Sequence, residues 1–443
     1  MAERRGHGGI ELELPRLEPA HLQRAIAAAQ VAGAHLRRRG LDDVLAVLDR
    51  VVANWLRPDY HLRQLAEHAL PAVTGFSVET IRHGLPLLLE PLRAATIRAL
   101  CDAELGDHRV LDTEHHGRRA GGARLIAHIL SGNIPGLAAS PVLLSLALKS
   151  AVLVKSAAGD PVFPALLAAS ISEVDEALGR CVQVAHWRGG DAAVESVVFG
   201  AADVVVASGS DAAIAAIAAR VPGRFIGHGH KISFAAIARE RLDDDAGARD
   251  LARRLAYDVS LWDQQGCLSP QLCYIERGGG VDPGAFAALL GAALTDYARQ
   301  LPPRRTSFEE QSAVQRFRQA AEWGTGNATG LLASPGSADW SISIEDGPAL
   351  RPSCLHRCVR LKVVDRLDDL EPALAPHRRH LEAASLAAGV PRRACLREFL
   401  IGLGVHRVCA IGSMQRPPLT WRQSGRPRLA EWVEWATVEE SDE

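Results

Sequence analysis

Cys267 stands in the run Trp262-Asp263-Gln264-Gln265-Gly266-Cys267-Leu268-Ser269-Pro270. A glycine before it and a turn-forming Ser-Pro after it suit a backbone that brings a thiol into a cleft. A thiolate is the best side-chain nucleophile for acyl groups, and a few per cent of an ordinary thiol is ionised near pH 7. The default for any cysteine is a small buried hydrophobe, and Cys101, Cys181, Cys273, Cys395 and Cys409, set inside apolar patterns, are read that way. Cys354 and Cys358 flank His356, but one C-x3-C with one histidine and no second pair points to packing rather than metal. His228 and His230, in Gly227-His-Gly-His-Lys231, lack a third ligand nearby in sequence, so no metal is assigned. Gly209-Ser210 would seat a phosphate on a helix N-terminus, or serve as a plain turn and N-cap. No G-x-G-x-x-G follows a strand and no G-x-x-x-x-G-K-[ST] occurs.

The elements that must position these residues follow from hydrophobic periodicity. Residues 21–38, 41–56 and 78–105 carry apolar residues at helical spacing, with Ser77 as N-cap of the last. From residue 121, strand-length apolar runs alternate with Ala-rich helical patterns: strands at 125–130, 151–155, 182–187, 203–207 and 225–227, with helices at 137–148, 164–178, 192–199 and 212–220. This alternation implies βαβ units and a parallel sheet. Chemistry in such sheets sits in loops at the carboxyl ends of the strands, here 131–136, 155–160, 208–210 and 227–231. A second α/β block follows, with helices at 251–262, 283–300, 308–323 and 392–402 and strands within 267–276, 359–364 and 405–411. Residues 414–437 read as a wrapping tail. The expected organisation is a helical region over 1–110, an α/β domain over 111–250, a second over 251–413 and an association tail over 414–443.

Composition agrees with this. The 443 residues are 47% hydrophobic and 23% charged, with a net charge of -2, as in a globular protein of two or three domains. No long basic run suggests nucleic acid. The N-terminus has no apolar signal segment, and the apolar stretch 134–154 is interrupted by Pro141 and Lys149, so no membrane span is expected. Eight scattered cysteines then imply free thiols and a cytoplasmic location.

Several motifs occur in one order: Ser131-Gly-Asn-Ile-Pro-Gly136, Val152-Leu-Val-Lys155, Ala207-Ser-Gly209-Ser210, Gly227-His-Gly-His-Lys231-Ile-Ser233, the Cys267 block, Gly404-Val-His-Arg407, Gly412-Ser-Met and Leu419-Thr-Trp421. From about Gly75 onward the chain resembles the acyl-CoA reductase family typified by the fatty-acid reductase of bacterial luminescence, a branch of the aldehyde dehydrogenase superfamily. The resemblance implies an aldehyde dehydrogenase-like α/β fold with cofactor-binding and catalytic parallel-sheet domains and a small association element, in a homo-oligomer. It implies Cys267 as the nucleophile that carries the acyl group. Asn133 would polarise the carbonyl with the backbone N–H of Cys267, a kind of donor worth about 10²–10³ in rate. Lys155 would contact the adenosine ribose or its phosphate, and Gly209 and Ser210 the pyrophosphate. NADPH is the implied cofactor. An acyl-CoA or acyl-carrier thioester is the implied substrate, delivered in some members by an acyl-transferring partner protein.

Two departures from acid-forming relatives matter. The segment that holds their water-activating glutamate is here Gly227-His-Gly-His-Lys231, without a carboxylate. Their Glu-Ile-Phe-Gly-Pro segment, which holds the nicotinamide ribose, has no good match; Arg397-Glu398-Phe399-Leu400 is a poor one. The expectation is therefore reduction of a thioester to an aldehyde. The competing readings are a cysteine-dependent acyltransferase, an aldehyde-oxidising dehydrogenase and a non-catalytic scaffold.

Overall fold

A computed structural model describes residues 2–7, 10–15 and 17–439. Residues 19–111 are built of helices, after an antiparallel pair of strands, Ala2–His7 and Ile10–Pro15, that the reading of 1–110 as helical did not include. Helix Leu41–Leu56 buries Val44, Leu45, Leu48, Val51, Val52 and Trp55, a stripe at three- and four-residue spacing. That stripe shares one core with Val152 of the first sheet and Phe163 of helix Phe163–Val174, and the Trp55 indole donates to Ser170 Oγ at 2.9 Å. Ser77 caps helix Val78–Leu89, accepting the Thr80 N–H at 3.1 Å. The single helix expected over 78–105 is two, Val78–Leu89 and Ala94–Leu105, separated by a turn at Glu90–Leu92. Pro91 explains the break, because it lacks an N–H and crowds the preceding turn. Helix His61–Thr74, with Pro71 inside it, had no counterpart in the sequence reading.

The first sheet has five parallel strands in the spatial order Val182–Ala185, Ala151–Lys155, Leu125–Ile129, Val204–Ser208, Arg224–His228. The chain starts at the centre, runs to one edge, then returns to the other side of its first strand. The topological switch therefore lies between the carboxyl ends of Leu125–Ile129 and Val204–Ser208, where ligands of doubly wound sheets bind.

Only Gly229, His230 and Lys231 separate this sheet from a second of seven strands. Its order is Ala328–Ala333, Ser341–Asp346, Cys358–Val364, Pro270–Glu276, Ile232–Ile237, Leu381–Ala387, Arg407–Cys409. All neighbours are parallel except the edge pair Ala328–Ala333 and Ser341–Asp346. Ile232–Ile237 lies inside the 111–250 segment expected for the first domain, yet it is an interior strand of the second sheet. The tail is also more than a wrap. Val433–Thr437 pairs antiparallel with Arg118–Gly122, and Arg224 donates to the carbonyls of Glu431 and Val433 at 2.7 and 3.0 Å. The result is an aldehyde dehydrogenase-like α/β fold. No helix among the described residues is long and apolar enough to cross a membrane.

Candidate active site

A cavity of about 520 Å³ opens at the switch point between the sheets. Ser131, Asn133 and Ile134 line it from the first strand's loop, Ser208, Gly209 and Ser210 from the fourth, and His228 to Lys231 from the fifth. Cys267 faces it from the second sheet. Three of the four loops singled out in the sequence therefore converge; the 155–160 loop does not reach the cavity.

The Cys267 loop is held by an unusual backbone. Trp262, Asp263 and Gln264 all have positive φ, at 62°, 47° and 62°, in a region that costs a non-glycine residue about 1 kcal/mol or more. A second run, Leu355, His356 and Arg357, repeats this at 66°, 56° and 57°. The two runs brace each other. The Arg357 guanidinium pairs with the Asp263 carboxylate, both buried, and the His356 N–H donates to the Asp263 carbonyl at 3.2 Å. Asp263 also accepts the Arg304 N–H at 2.7 Å, and the Gln264 amide donates to Pro270 and Cys358 carbonyls at 2.8 and 3.2 Å. Ser233 Oγ donates to the Cys267 carbonyl at 2.6 Å. Cys267 itself packs beside Leu268, Met414 and Trp421.

Burial, with the nearby Glu382 carboxylate adding to it, pushes the Cys267 thiol up to about 12 even though Arg428 and Lys231 pull the other way. Glu382 is fully buried. It accepts Ser424 N–H and Oγ–H at 2.8 and 3.2 Å and lies 3.7 Å from Lys231 Nζ. Burial, reinforced by Arg426, Arg428 and Lys231, lowers His228 to about 4. Its ring is therefore neutral at pH 7, and its buried Nδ1 has no hydrogen-bond partner among the described residues.

Asn133 is fixed on both sides: its Oδ1 accepts from Ser131 Oγ at 2.7 Å and its Nδ2 donates to the Gln265 carbonyl at 2.5 Å. One of the two Nδ2 hydrogens is thus committed, leaving the second for a substrate oxygen. Ser210 caps helix Asp211–Ala218, accepting the Ala213 N–H at 3.2 Å. A side chain on Gly209 would meet only Ala213, at 3.5 Å, so backbone there is open to a phosphate. Lys155 ends the Ala151–Lys155 strand outside this cavity, with Nζ 6.0 Å from the Trp187 ring centroid. Burial lowers its pKa, with Glu195 opposing. Asp160 turns inward to Phe163 N and Gly136 N, at 2.9 and 3.3 Å. An open glycine at a helix N-terminus, an imidazole nitrogen unpartnered among the described residues and a cation at the end of the Ala151–Lys155 strand, two strands away, fit a nicotinamide dinucleotide.

Sequence reasoning missed Glu382, Arg426, Arg428 and Leu355. The last three line the cavity. Cys354 and Cys358 pack with Val314 and Phe317, beneath the segment that bears Leu355.

A family model described as acyl-CoA reductase (LuxC) matches residues 36–435. The long-chain acyl-protein thioester reductase of Vibrio harveyi is 23% identical over 357 residues, covering 77% of this chain and 72% of that protein. Its namesake from Photorhabdus luminescens is 26% identical over 345 residues, covering 75% and 69%. Aldehyde dehydrogenase 21 from Physcomitrella patens superposes with a TM-score of 0.74 at 13% identity, covering 96% of this chain and 91% of that one. Aldehyde dehydrogenase C from Pseudomonas syringae, solved with NAD+ and octanal, gives 0.73 at 15% identity, covering 96% and 90%. At such identities these structures speak to the fold alone.

Proposed function

The chain belongs to the acyl-CoA reductase family and is an aldehyde-forming acyl reductase; on that premise we propose that Cys267 carries the acyl group and that NADPH is the reductant. The observation that carries the reading is the meeting of Cys267, Asn133, Gly209 and Ser210 around one switch-point cavity.

Cys267 Sγ attacks the thioester carbonyl, and the carrier thiol leaves with the proton. The free Nδ2 hydrogen of Asn133 and the Cys267 N–H polarise the carbonyl oxygen in this step and the next. NADPH, when bound, would supply hydride to the carbonyl carbon of the enzyme thioester. With a proton from water on the oxygen, the hemithioacetal on Cys267 would collapse to aldehyde and the free thiol. Gly209 and Ser210 seat the pyrophosphate, and Lys155 takes the adenosine ribose or its 2′-phosphate. The position three residues after Lys155 is Ala158, so no carboxylate there repels a 2′-phosphate, and Asp160 is turned away on two backbone N–H groups. A long-chain acyl-protein thioester, as named for the Vibrio and Photorhabdus relatives, is the substrate class we favour. A cytoplasmic homo-oligomer that receives its acyl group from a partner protein completes the proposal, with the eight free thiols suited to a reducing compartment.

The acyl-enzyme should persist without cofactor, because no carboxylate lines the cavity among the described residues. The test is intact-protein mass spectrometry after mixing with a long-chain acyl thioester. A gain of one acyl group, lost with aldehyde release on adding NADPH and absent from Cys267→Ala, supports the reading. Rapid multiple-turnover release of free acid would reveal a water-activating base, with His228 and His230 the first to replace. A labile acyl group that NADPH leaves unreduced would point to an acyltransferase. The ratio of kcat/KM for NADPH and NADH tests the cofactor, and equal or NADH-favouring values refute the preference.

A further inference from the structure

Two arginines of the C-terminal segment, Arg426 and Arg428, line the cavity with Cys267. They are not equivalent. Arg426 is committed to Glu431, with hydrogen bonds of 3.0 and 2.7 Å. Arg428 has no ion-pair partner among the described residues. Its guanidinium makes one long hydrogen bond, 3.4 Å to the Leu419 carbonyl, and lies 5.8 Å from the Trp421 ring centroid. Trp421 belongs to the small apolar cluster that packs against Cys267. The backbone below Arg428 is pinned from the helical region: Glu104 accepts the N–H groups of Arg428, Leu429 and Ala430 at 2.8, 2.6 and 3.1 Å. A largely desolvated cation, whose nearby carboxylate Glu104 is spent on those three backbone N–H groups, is therefore fixed in the wall of the cavity that holds the nucleophile. A buried guanidinium without a direct ion pair is costly, and the charges that sustain this one are those of Glu104 and of an ionised Cys267.

We propose that Arg428 is a further catalytic residue, whose guanidinium pairs with the Cys267 thiolate and so makes the nucleophile available at neutral pH. The proposal rests on the assignment of Cys267 as the acyl-carrying nucleophile. The Cys267 S–H proton leaves to cavity water, the sulfur lone pair forms the new C–S bond as the old one breaks, and the departing thiolate takes up a proton. Among the cations that favour the ionised sulfur, Arg428 leads Lys231. Lys231 is also shared with Glu382 and the Arg379 carbonyl.

The experiment follows alkylation of each cysteine by iodoacetamide against pH, read peptide by peptide in the full-length protein, with exposed Cys395 as internal reference. In the wild type, Cys267 should react with a midpoint no higher than that of Cys395, although burial and the Glu382 carboxylate both push it up. Arg428→Met keeps an apolar stem over Trp421 and should raise the Cys267 midpoint by about one pH unit or more. Arg428→Lys should restore most of the shift, and the Cys395 profile should stay put in all three. A Met variant with the wild-type midpoint overturns the proposal. So does a wild-type Cys267 that reacts only well above Cys395, a measurement that needs no variant to fold. Cys267→Ala separates the two readings. If it retains aldehyde formation, the nucleophile assignment falls. If it is inactive while Arg428→Met leaves the midpoint unmoved, Arg428 alone falls.

Discussion

The two walls of the cavity are built on opposite plans. The wall that carries Cys267 is over-determined: two runs of left-handed residues, a buried Arg357–Asp263 pair and buried side-chain amides fix it from several directions. The wall that carries Gly209 and Ser210 rests on helix Asp211–Ala218, none of whose residues is buried. A nucleophile must meet a carbonyl carbon within a few tenths of an ångström, so strain is tolerable where surrounding contacts hold it. A pyrophosphate site needs only open backbone N–H groups and gains from a segment free to adjust as the dinucleotide enters and leaves.

The sharpest way to break the contrast is Arg357→Met. It leaves Asp263 buried and without its charge partner, so stability should fall by about 3–5 kcal/mol, read as a lower denaturant midpoint. Aldehyde formation should fall further than the unfolded fraction explains, because Asp263 also anchors the turn leading to Cys267. Wild-type stability in this variant would show that the left-handed runs stand without the pair. Gly84→Ala attacks the same wall from the helical region. A Cβ at Gly84 would collide with the Trp262 indole, and overpacking of this kind costs about 1–3 kcal/mol. A rise in melting temperature would mean that Trp262 can yield.

Little of the rigid wall was legible in the sequence, and the reasons are physical. Gly266, Ser269 and Pro270 mark the turn around Cys267, but no glycine announces positive φ at Trp262–Gln264 or Leu355–Arg357; only contacts between segments about ninety residues apart impose it. The strand Leu381–Ala387, with the sequence LEAASLA, is rich in residues that strands usually avoid, so both the strand and its buried Glu382 escaped notice. Arg428 reaches the site through tertiary packing alone. The cofactor side was far more legible. The strand Ala151–Lys155 lies where periodicity places it, and Ser210 is the N-cap its position suggested. That the 155–160 loop lies off the cavity was not legible, because strand order, which decides which loops flank the switch point, is not written in local pattern.

A smaller effect tests the floor between the walls. His128 is buried, hydrogen-bonds Ser145 Oγ at 2.9 Å and is held down to about 3 by burial. Its folded pKa lies below the unfolded value near 6.5, so the unfolded chain binds the proton more readily between the two. The folded state therefore loses stability as pH falls through 6.5 toward 3, by up to about 1.4 kcal/mol per pH unit. Asp160, raised to about 6, and Asp258, raised to about 7, both by burial, act oppositely, because their folded forms keep a proton longer. His228 acts with His128. The wild-type profile is a balance of these groups, so the informative quantity is the difference from His128→Phe. That variant should gain on the wild type as pH drops from 7 to 5, and parallel profiles would mean that His128 is protonated in the folded protein.

The mildest perturbation speaks most directly to the loose wall. Ser210→Ala removes the N-cap of Asp211–Ala218, a loss of about 1 kcal/mol for an ordinary helix. A helix that only half-buries Ile214 and Ile217 opens locally without unfolding the rest, so the melting temperature should hardly move. Amide exchange over residues 211–218 should accelerate about fivefold, the factor that 1 kcal/mol represents, and KM for NADPH should rise while kcat holds. Ser307, which caps Phe308–Glu322 with a full capping box over buried Val314, Phe317 and Ala321, is the control. Ser307→Ala should lower the melting temperature and leave KM for NADPH alone. If Ser210→Ala lowers the melting temperature as much as Ser307→Ala does, the cofactor wall is tied to the global fold as tightly as the wall of Cys267, and the contrast between them fails.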